Sequence, residues 1–143
     1  MKIREIRAAG LRGDTPEGGW SEEPEQDACV HTLIAVITDE NMIGYGSVFT
    51  SDHLVNGALS VLEPLYRGEN ALEPERVSEK LHQHTFWLGR GGAITHTISG
   101  IDMALWDLLG KATGQPVGRL LGGRYRDRVK PYASLLMQAP EKL

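Results

Sequence analysis

One cysteine stands in the 143 residues, so no disulfide can form within this chain. That scarcity fits a reducing compartment, and a cytoplasmic location is expected. Cys29 directly precedes an apolar strand pattern and reads as a small buried hydrophobe rather than a nucleophile. Long apolar runs are also lacking. Nothing approaches the ~20 residues that span a bilayer, and the opening Met-Lys-Ile-Arg-Glu-Ile-Arg has no signal-peptide core. Nor is there an excess of positive charge: the net charge of −4 argues against nucleic acid or an anionic membrane as partner. The histidines do not cluster. His82 and His84 diverge on a helix, His31 lies in a strand, and His96 opens a helix without a companion at metal-ligand spacing. Gly89-Arg90-Gly91-Gly92 follows a helix and lacks the lysine of a phosphate loop.

What is present suffices for one domain, with 41% hydrophobic and 24% charged residues in ordinary globular proportion. Residues 1–11 read as a strand of imperfect alternation. Residues 13–27 hold Pro16, Gly18, Gly19 and Pro24 among acids, a long loop with little to bury. Residues 30–38 are the clearest strand: Val30, Thr32, Ile34, Val36 and Thr38 share one face, and His31, Leu33, Ala35 and Ile37 the other. A short reversal leads into a returning strand over 43–49, where Gly44 and Gly46 signal a bulge or another backbone pressed close. Ser51 or Asp52 caps a helix running to about Leu65, with Leu54, Ala58, Val61, Leu62 and Leu65 inward. After a turn at 67–70, a second helix spans 73–86, with Pro74 in its first turn and Val77, Leu81 and Thr85 or Phe86 inward.

The third helix organises the chain. Ile94, Ile98, Ile101, Leu105, Leu108 and Ala112 recur at steps of three and four, and Trp106 and Leu109 widen that face. Lys111 suits the last turn, Gly114 a left-handed cap, and Pro116 ends the helix. Gly100 costs about 1 kcal/mol relative to alanine inside a helix, which close approach of another backbone would explain. Asp102 and Asp107 lie about 140° apart around the helix, too divergent for a shared metal or an acid/base dyad. Asp107 is instead placed for an ion pair with Lys111, and Asp102 must find a donor among its apolar neighbours. A lone strand over 129–137 follows a basic, turn-like 124–128. Strands first and helices afterwards predict an α+β layer. Trp20, a large aromatic in a polar loop, is either a ligand contact or folded back onto the domain or a partner subunit.

Ser-Gly-Ile-Asp-Met-Ala-Leu-Trp-Asp-Leu-Leu-Gly-Lys, then Gly-Gln-Pro-Val and Leu-Leu-Gly-Gly, resembles the end of the capping domain in the enolase superfamily. The resemblance is to its mandelate racemase and muconate lactonizing branch, acid-sugar dehydratases in particular, and covers nearly the whole chain. It implies a three-stranded antiparallel sheet followed by a three-helix layer over residues 1–123. Residues 124–143 would be the linker and first strand of a truncated (β/α)-barrel. It also implies a chemistry: abstraction of the proton α to a carboxylate, with Mg²⁺ stabilising the enediolate and loss of water or reprotonation following. The barrel portion would hold the metal and the bases, so neither catalytic residues nor metal ligands are expected here, and this chain alone should be inactive. By the same resemblance the loop at 13–27 and a second at 49–53 fold over the barrel mouth and help set substrate choice. That nominates Trp20, Thr50 and His53 as substrate contacts, helix capping or plain exposure being the alternative for the last two. Pro-Tyr-Ala-Ser resembles the first barrel strand and adds Tyr132 and Ser134. The implied partners are a carboxylate sugar, further copies of the chain, and the barrel portion. Alternatives are a racemase or epimerase of the same family, or a non-catalytic binding module, whose final strand would then pair within its own sheet.

Overall fold

The computed structural model describes residues 1–11, 31–89 and 91–132. Three strands, β1 (Ile3–Leu11), β2 (His31–Thr38) and β3 (Ile43–Val48), form an antiparallel sheet in the order β1-β2-β3. Register runs from Leu11↔His31 to Ile3↔Thr38 on one side of β2 and from Thr32↔Val48 to Ile37↔Ile43 on the other. Thr32, Ile34, Val36 and Thr38 are buried as the alternation in β2 predicts and His31 on the other face is exposed, but Ile37 of that face is buried as well; Val30 lies outside the described residues.

Helices α1 (Asp52–Tyr66), α2 (Pro74–His84) and α3 (Ala93–Thr113) follow, then the single turn α4 (Val117–Leu120). The core is one cluster in which Ile3, Ile6, Ile34, Val36 and Val48 of the sheet meet Val55, Leu59 and Leu62 of α1, Val77 and Leu81 of α2, and Ile98, Ile101, Ala104, Leu105 and Leu108 of α3. The turn after α1 is tied to the start of β1, with Ile3 N–H donating to the Glu69 carbonyl and Gly68 N–H to that of Ile3.

The glycines in β3 have a specific cause. A Cβ on Gly46 would stand 2.1 Å from the Gly100 carbonyl oxygen, and one on Gly44 would stand 2.0 Å from that of Ala104. On the facing helix, a Cβ on Gly100 would meet Ile34 Cδ1 at 2.5 Å and Val48 Cγ1 at 2.8 Å. Of the two readings of Gly44 and Gly46, close backbone approach is the one observed, and the ladder between β2 and β3 runs without a bulge.

β3 is an edge strand, and α3 covers its open side. Asp107 accepts the Tyr45 N–H at 2.8 Å and pairs with Lys111 at 2.6 Å, while Lys111 Nζ donates to the Ile43 carbonyl at 2.8 Å. The expected ion pair thus also satisfies edge backbone groups, which otherwise offer a template for another strand. Asp102 has the donor it needed, the Ser78 hydroxyl at 2.6 Å. α3 ends on Gly114 at φ 64° and ψ 28°, the left-handed cap that was expected.

Three expectations are corrected. In α1 the inner face is Val55, Ala58, Leu59, Leu62 and Tyr66, and Leu54 and Val61 are exposed. α2 stops at His84; a 3₁₀ turn covers Phe86–Leu88, Thr85 is buried with its hydroxyl on the Leu81 carbonyl, and Phe86 is exposed. Ala112 is exposed rather than inward, because α3 outruns the sheet. Its 21 residues span about 31 Å, whereas the six of β3 span about 20 Å. Residues 129–132, the described part of the expected last strand, are exposed and join no strand; residues 133–137 lie outside the described residues.

Candidate functional site: the loop end of the sheet

Antiparallel pairing brings the end of β1, the start of β2 and the end of β3 to one edge of the sheet, at Leu11, His31 and Val48. Both connections nominated for substrate contact leave from this edge. The first, with Trp20 and Cys29, lies outside the described residues. The second, between β3 and α1, is described in full.

Thr50 is its fixed point. The buried Thr32 hydroxyl donates to the Thr50 carbonyl at 2.7 Å, which ties the loop to β2. The Thr50 hydroxyl donates to the Phe49 carbonyl at 2.7 Å and lies 2.6 Å from Nδ1 of His96, in the first turn of α3. Phe49 packs edge-on against the His31 ring at 5.0 Å. Strand, loop and helix therefore converge within a few residues. Ser51 is the N-cap of α1 by backbone geometry but offers no side-chain cap; its carbonyl accepts the Val55 N–H. Asp52 Oδ1 accepts the His53 N–H at 2.9 Å, and His53 is itself exposed.

Charge at this edge comes from helix ends. α3 begins at Gly92 with neither a side-chain cap nor an acid in its first turn, so its leading N–H groups retain their partial positive charge. α1 carries Asp52 in its first turn, which offsets the same effect there. No group of three histidine, cysteine or acidic side chains able to hold a metal occurs among the described residues.

Of the nominated residues, then, Thr50 and His53 lie at this edge. Tyr132 is exposed in an irregular segment, and Trp20 and Ser134 lie outside the described residues. The contact that sequence reasoning missed is His96, which reaches Thr50 across 46 positions. No local spacing signals such a pair. A separate groove of about 640 Å³, lined by Tyr45, Met103, Trp106, Lys111, Val117 and Leu121, contains none of the nominated residues.

A three-stranded antiparallel sheet covered on one face by the helices that follow it defines an α+β domain of the capping type. Residues 25–122 match the family described as mandelate racemase / muconate lactonizing enzyme, N-terminal domain, and the chain belongs to that family. D-galactonate dehydratase of Verminephrobacter eiseniae is 38% identical over 103 residues, covering 70% of this chain and 26% of the relative. A D-galactonate dehydratase family member of Paenibacillus is 40% identical over 106 residues, covering 71% of this chain and 26% of the relative. Among solved structures, an enolase of Agrobacterium radiobacter bound to Na and L-malate superposes with a TM-score of 0.72 at 28% identity, covering 91% of this chain and 30% of that one. The chain spans about a quarter of the length of the curated relatives it matches.

Proposed function

We propose that this chain is the capping part of an acid-sugar dehydratase, the portion that closes over a barrel and helps choose the substrate. One observation carries the reading: relatives 38% and 40% identical over this domain are a D-galactonate dehydratase and a member of that enzyme's family. The geometry supports it, because both loops nominated for substrate contact leave one edge of a rigid sheet. Binding residues on loops held by a scaffold are a common arrangement. Residues 129–132, which join no strand, are what a segment continuing into a second domain would present.

In this reading the cap acts before and around the chemistry. The β3–α1 loop, held by Thr32 and His96 through Thr50, offers His53 and the ring of Phe49 toward a polyhydroxy acid. The uncapped end of α3 favours an anionic group nearby. In the same proposal Mg²⁺ would be held by the barrel portion; no group of three histidine, cysteine or acidic side chains able to hold it occurs among the described residues. A divalent metal held there would supply neutralisation of the negative charge on the substrate carboxylate. The cytoplasm is the proposed location, and assembly with further copies is part of the same proposal.

The test is to assay the chain alone, and then fused to the barrel of the Verminephrobacter enzyme, with Mg²⁺ and a panel of aldonates and aldarates. The chain alone should turn over nothing, and the fusion should release 2-keto-3-deoxy acids. A folded, metal-loaded fusion that dehydrates no acid sugar, or turnover by the chain alone, would reject the proposal.

A further inference from the structure

The hydrogen bonds at Thr50 fix a proton order. A threonine hydroxyl has one hydrogen, and a carbonyl oxygen only accepts. Thr50 Oγ1 lies 2.7 Å from the Phe49 carbonyl and 2.6 Å from His96 Nδ1. Both contacts are hydrogen bonds only if Thr50 gives its proton to Phe49 and His96 donates from Nδ1. The neutral ring then carries its hydrogen on Nδ1 and leaves an Nε2 lone pair with no protein partner among the described residues, on an exposed side chain. A free imidazole has no such constraint on its tautomer.

We propose that His96 is a positioning residue for the β3–α1 loop. It clamps Thr50 through an Nδ1–H donor and presents Nε2 at the loop end as an acceptor for a hydroxyl group of the substrate. The clamp follows from the network. The hydroxyl-bearing ligand rests on the proposed function and stands or falls with it. His96 is exposed, sits one turn into α3, and links that helix to a loop that Thr32 already ties to β2. Removing either hydrogen bond leaves the loop held from one side only.

Two measurements on the chain without substrate test the clamp separately from the enzyme reading. Long-range proton–nitrogen correlation on the labelled chain should show the neutral His96 ring protonated at Nδ1. Thr50→Val should abolish that preference and Thr50→Ser should keep it. In amide exchange, His96→Ala should speed the loop amides of residues 50–53 by about fivefold to tenfold, the loss of one modest hydrogen bond. His96→Asn, which keeps an N–H at the δ position, should restore much of the protection. A ring protonated at Nε2, or loop exchange unchanged in His96→Ala with the fold intact, would overturn the proposal. Should both clamp results hold while the barrel fusion processes no acid sugar, the clamp stands and only its ligand falls.

Discussion

At the scale of single residues, what matters is which atom an added group would strike. Gly46 and Gly44 face backbone carbonyls of α3 at about 2 Å from any new Cβ, and backbone cannot step aside without moving the helix. Gly100 faces the ends of Ile34 and Val48, which can rotate, and alanine there also gains about 1 kcal/mol of helix propensity. Gly46→Ala is therefore expected to cost about 3 kcal/mol or more, at or above the usual range for overpacking, and Gly100→Ala about 1 kcal/mol net. Urea unfolding of the two variants side by side decides this; equal losses would remove the argument. A second residue effect depends on pH. Lys80 donates to Glu69 at 2.8 Å and Arg76 lies 3.6 Å away, so the Glu69 carboxyl is held below its ordinary value. A carboxyl depressed in the folded state binds fewer protons there than in the unfolded chain. Its contribution is thus present above the ordinary carboxylate value and lost as pH falls through the folded one. Glu69→Gln should lower stability at pH 7 by a few tenths to about 1 kcal/mol and converge with the parent in strong acid, read from thermal midpoints across pH.

At the scale of elements, the sequence was most legible where one periodicity had no rival. β2 alternates between a buried and a more open face, and α3 carries its stop signals within six residues, so both were placed closely. α1 was not, for a physical reason. It has two apolar stripes, Leu54–Val61–Leu65 and Val55–Ala58–Leu59–Leu62, both at helical spacing. Only tertiary packing selects between them, and Val55, Leu59 and Leu62 are the ones that meet the core. Of the candidate site, Thr50 and His53 came from the family resemblance alone and lie between β3 and the first turn of α1, whereas the Thr50–His96 contact is a consequence of topology that no short window contains. Packing of α3 on β3 also guides a prediction, because the Asp107–Lys111 pair carries edge hydrogen bonds as well as charge. Asp107→Ala should cost about 1–2 kcal/mol, more than an exposed ion pair provides, and should quicken exchange of the Tyr45 amide. Lys111→Ala should cost less, since Asp107 would still hold Tyr45. If the two variants lose the same amount, and Tyr45 exchange does not change, the pair is a surface salt bridge and nothing more.

At the scale of the whole molecule, the structure divides into a part that packs and a part that does not. Leu120 is the last described residue that is not exposed; Gly123 N–H still donates to the Gly118 carbonyl, and every described residue from 121 to 132 is exposed. Tyr125, Val129 and Tyr132 are 93%, 73% and 87% accessible, apolar groups that the domain itself does not cover. Arg126 lies over the Tyr125 ring, a contact within the segment that ties it to no other element. If the core already contains everything that stabilises this domain, removing the segment should leave its stability unchanged. Trypsin should cut first at Arg124, Arg126 or Arg128, because exposed irregular chain is cleaved ahead of packed elements. The trimmed domain should then melt within about 1 °C of the intact chain, a shift that corresponds to a few tenths of a kcal/mol at this size. A drop of several degrees would mean that the segment, through contacts made in solution, belongs to the capping domain. The boundary after Gly123 would then have to move toward the carboxyl end.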